Sequence, residues 1–437
     1  MVVFVTTFSS MRRPRRAGAS DLAARRHPRV LGRIALLVSG CIGAIPLPHS
    51  TNSFTAFSLI CAIAILFTTR EVLGQSLGAA ILAMLAATAY SLSGYAHGLP
   101  FGAGDATIFV GIALYVIGMA SLSRLHLQGA IDLLAGVSFG FLIRALIFPS
   151  TLGPDTDINL WKYAIGVAVP ILVLYVLAEM RVSYFINIIA LVVLAIVSFV
   201  LDTRSEALAC IAAVITLLIM NGRAVQRSRA ANFSRGVILV ISGLALAYIM
   251  PLLMKSGIFG ASVQEKTTLQ TSSGASLLFA GRTETPLSIA AIWAHPFTGW
   301  GSTNLIDVDT FTLGQRIAGF LNLSPSAYLP NWIRADGSVT LHSLLFTSWA
   351  EAGISAAFFF FWVIYLVLRF GPTVRGKWSA VSVIAIYQLL WAVLFSPWSS
   401  GQVLTVAGTV VVALAARAES RTRSLAQAEG LIPRSRR

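Results

Sequence analysis

The chain has 437 residues, 56% of them apolar and 11% charged, and a mean hydropathy of +0.79. So little polar surface excludes a water-soluble globule, and the apolar residues come in long blocks, so the reading is one membrane-embedded bundle. The formal charge of +15 would suggest nucleic acid in a soluble protein, but here it is read as a membrane-orientation signal, with no nucleic-acid partner. Cys41, Cys61 and Cys210 all lie inside apolar blocks, so neither a disulfide framework nor a thiolate metal site is expected.

Ahead of the first apolar block come Arg12, Arg13, Arg15, Arg16, Arg25, Arg26 and Arg29, without a convincing cleavage pattern. Residues 1–29 are therefore expected to form a basic cytoplasmic tail, with Met11 an alternative start. A hydrocarbon core about 30 Å thick takes roughly 20 apolar residues per helix. Segments of that kind run Val30–Leu47, Phe54–Thr69, Val72–Leu92, Ile108–Leu122, Leu127–Phe148, Leu160–Ala178, Val182–Leu201, Ser205–Met220 and Val237–Met254 within residues 30–254. Three more, Leu341–Leu368, Ala380–Phe395 and Val403–Ala416, fall within residues 341–416, and residues 417–437 form a second basic tail. The expected fold is all-α and polytopic, with about twelve transmembrane helices.

Lys and Arg are retained on the cytoplasmic side. With the N-terminus inside, Arg70, Arg124, Arg181, Arg223 to Arg235, Arg369, Arg375, Lys377 and the C-terminal arginines fall on one side. The other side holds Lys162, Arg204, Lys255, Lys266, Arg282, Arg316 and Arg334, and Arg144 lies within a span. Both termini are therefore expected in the cytoplasm. Residues 255–340 form one large outer loop, charge-balanced by Glu265, Glu284, Asp307, Asp309 and Asp336. A loop of this length with no structure of its own is uncommon unless functional, so a small folded unit is expected there.

Four places could carry chemistry. In the outer turn Asp202-Thr203-Arg204-Ser205-Glu206, Thr203 and Glu206 have capping-box spacing. That spacing puts Arg204 in the first turn of the eighth span, where free N–H groups and the helix dipole already favour an anion. Snorkelling at a helix end is the plainer reading of the same Arg. In Gly281-Arg282-Thr283-Glu284-Thr285-Pro286, the Thr-Pro pair reads as N-cap and first residue of a short helix ending at His295-Pro296. Arg282 thus sits just ahead of that helix, and Gly299-Trp300-Gly301 beyond it reads as a turn.

His342-Ser343 opens the tenth span, with Glu351-Ala352-Gly353 further along it. Nine residues of helix amount to about 900° and roughly 13 Å, so Glu351 cannot orient His342 in the manner of a triad carboxylate. Glu351 is expected to hydrogen-bond structurally and His342 to belong to a site. Arg144, buried in the fifth span, is either a ligand or a snorkelling Arg. Asp307-x-Asp309 is similar to the metal-binding pair of nucleotide-sugar transferases, but such donors are not supplied outside the membrane, so no metal site is assigned.

In this order and placement, the outer Arg204, then Gly281-Arg282-x-Glu284, His295-Pro296-x-x-Gly299-x-Gly301, and His342-Ser343 followed by Glu351-x-Gly353 resemble the O-antigen ligase and O-antigen polymerase family. The resemblance implies a GT-C-like bundle with short helices in its periplasmic loop, in a bacterial inner membrane. It implies a metal-independent inverting glycosyltransferase that needs no cofactor. The donor would be an undecaprenyl-diphosphate-linked oligosaccharide and the acceptor a glycan or a lipid-linked glycan. Arg204 and Arg282, joined by Arg144, would hold the diphosphate, and His342 would sit at the reacting centre as a base or a phosphate ligand. Ser343-Leu344 stands where an Asn often follows the His, and Gly281 where Ser is frequent, and these departures bear on the subtype.

Polymerisation of O-antigen or exopolysaccharide repeats is the favoured subtype, because the stretch from Phe311 to Val339 with Tyr328 and Trp332 offers surface for sugar stacking. A ligase delivering glycan to lipid A core would use the same motifs. A flippase or two-half transporter also fits twelve spans, but the connection after the sixth span, Glu179 to Val182, is too short for the latter. Polyprenyl-monophosphate sugar transferases normally carry acids in the first outer loop, and Pro48 to Ser53 has none.

Overall fold

The computed structural model describes residues 30–47, 54–101, 105–148, 160–161, 165–201, 203–221, 282–334, 337–398 and 400–429, with isolated positions between 237 and 268. The elements are α1 (Val30–Ile42), α2 (Ala56–Leu66), α3 (Arg70–Ala96), α4 (Ala106–Ser123), α5 (Leu127–Ile147), α6 (Gly166–Glu179), α7 (Tyr184–Val200) and α8 (Arg204–Asn221). After them come α9 (Thr285–Ala294), α10 (Val308–Phe320), α11 (Pro325–Trp332), α12 (Leu344–Ala352), α13 (Ile354–Phe370), α14 (Ser379–Phe395) and α15 (Ser400–Ala428). Among the described residues the extended pairings are two isolated bridges, Pro46 with Thr55 and Ile333 with Val339.

Among the described residues six helical segments, 70–96, 106–123, 127–147, 354–373, 376–395 and 401–427, are long and apolar enough to cross a membrane. The apolar helices α1, α2, α6 and α7 are shorter. The chain is a multi-pass membrane protein. The ninth predicted span, Val237–Met254, lies outside the described residues except at scattered positions, as do the tail 1–29, the connection Arg223–Arg235, Asp202 and Gly281.

One expectation is corrected. The segment Leu341–Leu368 is two helices, α12 and α13, parted at Gly353, whose φ of 73° ends one helix and starts the other. His342 therefore precedes α12 rather than riding on it.

The helices alternate in direction. Arg181 before α7 and Gly376-Lys377 before α14 line one cavity with Leu217 and Met220 near the end of α8, so α7 and α14 start where α8 finishes. Leu127, Thr373 and Arg423 share a neighbouring cavity, which puts the start of α5 and the ends of α13 and α15 at that same arginine-rich end. The connections 200–204 and 395–400 lie at the opposite end, together with Gly353.

Close backbone approach holds α1 to α5. Gly136-x-x-x-Gly140 on α5 faces Gly40 on α1, and a Cβ at either α5 glycine would collide with the carbonyl of Leu37 or Cys41. At the arginine-rich end this contact is tied by Arg33, which donates to Asp132 from Nε at 3.0 Å and from Nη2 at 2.9 Å. Arg33 also donates to Glu179 at 2.9 and 2.8 Å, and Tyr175 donates to Asp132 at 2.7 Å. A fully buried Asp132 is tolerable only because both of its oxygens are paired in this way.

The segment from Arg282 to Ala350, called the outer unit for its place at the end of the bundle away from the arginine-rich end, has a core of its own, built from Leu287, Ala291, Trp300, Ile306, Ala318, Leu323, Tyr328, Trp332, Leu341 and Ala350. Trp332 is 0% exposed and its Nε1 donates to the Thr283 carbonyl at 2.6 Å. Tyr328 is 4% exposed, its ring 4.4 Å from that of Trp332. The expected sugar-stacking surface is therefore corrected: both aromatics are spent on holding α9, α10 and α11 together.

The break at Gly353 is the joint between this outer unit and the span α13. A Cβ at Gly353 would meet the Phe297 carbonyl and would force a side-chain-bearing residue into positive φ. Gly353→Ala is expected to cost on the order of 3 kcal/mol in thermal unfolding of the detergent-solubilised protein. Gly319→Ala, with open space around it, serves as the control and should unfold like wild type; equal unfolding temperatures for both variants would contradict the joint.

Candidate functional site

Arg282, Glu284 and His342 meet in one cavity. The turn of Arg282 enters α9 through Glu284, which is the N-cap residue, one position earlier than the Thr285 cap expected from the sequence. The Glu284 side chain makes no capping bond, and its Oε1 lies 2.9 Å from Nδ1 of His342. His342 is held from the other side: Ser343 caps α12 by accepting from Phe346 N at 3.1 Å and donates to the Val393 carbonyl at 2.9 Å. The carboxylate that faces His342 thus comes from the outer unit, and α14 fixes the backbone next to it.

The cavity is about 120 Å³ and is lined by Arg282, Glu284, Ser288, His342, Phe346 and Phe395 among others. The Arg282 guanidinium lies over two rings of α14, 5.2 Å from the centre of Trp391 and 5.3 Å from that of Phe395. Burial there lowers the pKa of Arg282 from its ordinary value, while the charge of Glu284 opposes the drop. A guanidinium stays protonated at neutral pH under such a shift. Aromatic faces engage the charge of a guanidinium without taking up its N–H donors, and such a fork suits a phosphate oxygen pair.

Glu351 and the glycine turn belong to the joint instead. Trp300 N donates to the Ala350 carbonyl at 2.9 Å, Gly301 N to the Glu351 carbonyl at 2.8 Å, and Ile354 N to the Pro296 carbonyl at 2.9 Å. The Glu351 carboxylate accepts from Thr303 N at 3.0 Å, and its carbonyl also accepts from Ser93 Oγ at 2.8 Å. Gly299 has φ 70° and Gly301 has φ 73°, and a Cβ at Gly299 would strike the Glu351 backbone. His295 ends α9, its ring 4.3 Å from that of Trp300. His295, Gly299, Gly301, Glu351 and Gly353 therefore form one interlocked turn that carries Arg282 and Glu284 to the membrane helices.

Arg204 is the first residue of α8, at the end of the bundle where Leu394 and Phe395 line the cavity. The capping box around it does not form: Thr203 Oγ1 donates to the Leu201 carbonyl, and Glu206 accepts from Gln388 of α14 at 2.7 Å. Glu206 is buried against a neighbouring helix and has no reach back to the turn. Arg144, near the end of α5, approaches the Ala44 carbonyl at 3.5 Å. The cavity of Arg282 and His342 has neither Arg204 nor Arg144 in its lining. Asp307 is the N-cap of α10, accepting from Thr310 N at 2.8 Å, and the Thr310 side chain together with this backbone bond holds its carboxyl below the usual range.

Sequence reasoning missed the roles of Trp391 and Phe395. Their spacing of four on an apolar span is a same-face signal, but an aromatic pair in a membrane helix is ordinary core until a cation is seen over it. It also placed Glu284 with the structural motif, because partnership with His342 across 58 positions leaves no local pattern.

No curated protein and no solved structure matches the chain. Residues 189–361, which contain Arg204, Arg282, Glu284, His342 and Glu351, match the model of the family described as O-antigen ligase. This agrees with the resemblance carried by the motifs: over that stretch the chain is similar to the O-antigen ligase family.

Proposed function

We propose that the protein is a membrane glycosyltransferase that takes a glycan from an undecaprenyl-diphosphate carrier on the loop side of the membrane. The observation that carries this reading is the joint lining of one cavity by Arg282, Glu284 and His342 beside membrane-helix side chains. A lipid-linked donor needs its diphosphate at the edge of an apolar bundle, and its sugar toward the outer unit. The cavity lies between those two parts.

In the proposed reaction an acceptor hydroxyl attacks the anomeric carbon as the bond to the diphosphate breaks. Negative charge grows on the leaving diphosphate, where a preorganised guanidinium counts most. Arg282 supplies it, and we assign Arg204, which opens α8 at the same end, to the same anion. We assign the imidazole proton of His342 to Nδ1, 2.9 Å from the Glu284 carboxylate, which leaves Nε2 as the acceptor. This arrangement favours a general base over a phosphate ligand for His342. Direct displacement with one base and no covalent intermediate is inverting, and the charge is met by arginines, so we propose a metal-independent route.

With Trp332 and Tyr328 inside the core of the outer unit, the reason for favouring a polymerase is gone. Polymerase and ligase share the donor chemistry proposed here and differ in the acceptor. Surface and carrier-linked glycans of a deletion strain complemented with wild type, Arg204→Ala, Arg282→Ala or His342→Ala separate them. Each variant is expected to abolish transfer at wild-type membrane levels. Single repeat units left on the carrier identify a polymerase, and full-length polymer left there identifies a ligase. Normal surface glycan in all three variants would contradict glycan transfer at this site.

Glu284→Gln keeps the shape of the side chain and removes the charge beside Nδ1. It is expected to lower the transfer rate by roughly 10²-fold or more, with donor binding little changed. A wild-type rate for this variant would remove Glu284 from the machinery.

A further inference from the structure

A second, larger cavity lies at the arginine-rich end, away from His342. Its volume is about 480 Å³, and it is framed by the turn before α7, the end of α8 and the turn before α14. Its cations are Arg181, Arg375 and Lys377. Lys377 is already committed: its Nζ lies 3.1 Å from Glu179, within the Arg33 and Asp132 cluster. That cluster holds two acids and two bases and is neutral as a unit.

Arg181 and Arg375 stand outside it, on turns that join different helix pairs, and neither has an ion pair among the described residues. The same cavity contains polar atoms with no partner. The Tyr184 hydroxyl and Oδ1 of Asn187 are buried and make no hydrogen bond among the described residues, although Asn187 as a whole is 7% exposed. Buried polar groups are usually satisfied, so an orphaned donor and an orphaned acceptor in one cavity point to an occupant. The remaining wall is apolar, from Leu217, Met220 and Val374.

We infer that this cavity binds the phosphodiester headgroup of an anionic phospholipid. The two uncompensated guanidinium groups meet the phosphate, and the Tyr184 hydroxyl donates to it. Asn187 Oδ1 accepts from a headgroup hydroxyl, and the apolar wall takes the glycerol end of the acyl chains. Simple retention of arginines at one membrane face would place cations there, but it gives no reason for a roomy cavity or for the orphaned atoms inside it.

Native mass spectrometry of the delipidated full chain, titrated with phosphatidylglycerol or phosphatidylethanolamine, tests the site. One phosphatidylglycerol is expected to bind in preference to phosphatidylethanolamine. The double variant Arg181→Gln/Arg375→Gln should weaken that binding roughly tenfold or more, and Tyr184→Phe, which preserves packing, should weaken it several-fold. Arg423→Gln, whose guanidinium pairs with Glu419 one turn away, should leave it unchanged. Equal binding of the two lipids, or undiminished binding by both cavity variants, would overturn the site. Displacement of the lipid by millimolar glycerol 3-phosphate would overturn the lipid as the source of the phosphate.

Discussion

The structure turns on one broken helix. A continuous span from Leu341 to Leu368 would carry His342 away from the outer unit and leave that unit attached by chain alone. The positive φ of Gly353 instead opens a gap between α12 and α13, into which the Pro296–Gly301 turn fits backbone to backbone. Carbonyls and an amide at the break find partners in that turn: those of Ala350, Glu351 and Ile354 are paired with it. Unpaired backbone groups at this depth would each cost several kcal/mol, so the break and the turn require one another. The position of Arg282, ahead of α9, follows from where that turn is held.

The acids divide into two kinds of work on the same principle. Asp132 and Glu351 are buried and hydrogen-bonded, one with Arg33 and Tyr175, the other with Thr303. They stabilise helix contacts, and their removal would leave donors orphaned. Glu284 is nearly as buried, yet it spends nothing on its own helix and faces a histidine that borders open space. An unspent carboxylate beside an imidazole, with a guanidinium in the same cavity, is the feature that separates a candidate site from scaffolding here.

Much of this was legible in the chain. The apolar blocks located α1 to α8 and α13 to α15, because burial in hydrocarbon leaves a composition signal as long as the helix itself. The Thr-Pro and His-Pro pairs bounded α9 to within a residue, since local backbone preferences set helix ends. Arg282 and His342 stood out by placement, one ahead of a short helix and one at the mouth of a span, and by the motifs around them. What was not legible depended on contacts between distant positions. Glu284 facing His342, the aromatic seat of Arg282 on Trp391 and Phe395, and the turn of Glu206 toward Gln388 rather than its own cap are tertiary choices with no local trace. The Gly136-x-x-x-Gly140 contact had a readable motif, but its partner Gly40 did not. Trp332 and Tyr328 were misread because aromatic residues in a polar loop suit a sugar surface and a small core equally well, and only burial separates the two.

The proposed function seats the diphosphate of a lipid carrier on Arg282, with its sugar end toward Nε2 of His342. A structure of the protein in lipid nanodiscs with undecaprenyl diphosphate bound would test it most directly. Diphosphate density is expected within hydrogen-bonding distance of the Arg282 guanidinium, with the lipid chain running along α14. Density for the diphosphate at another surface, with the cavity of Arg282, Glu284 and His342 unaltered, would contradict it.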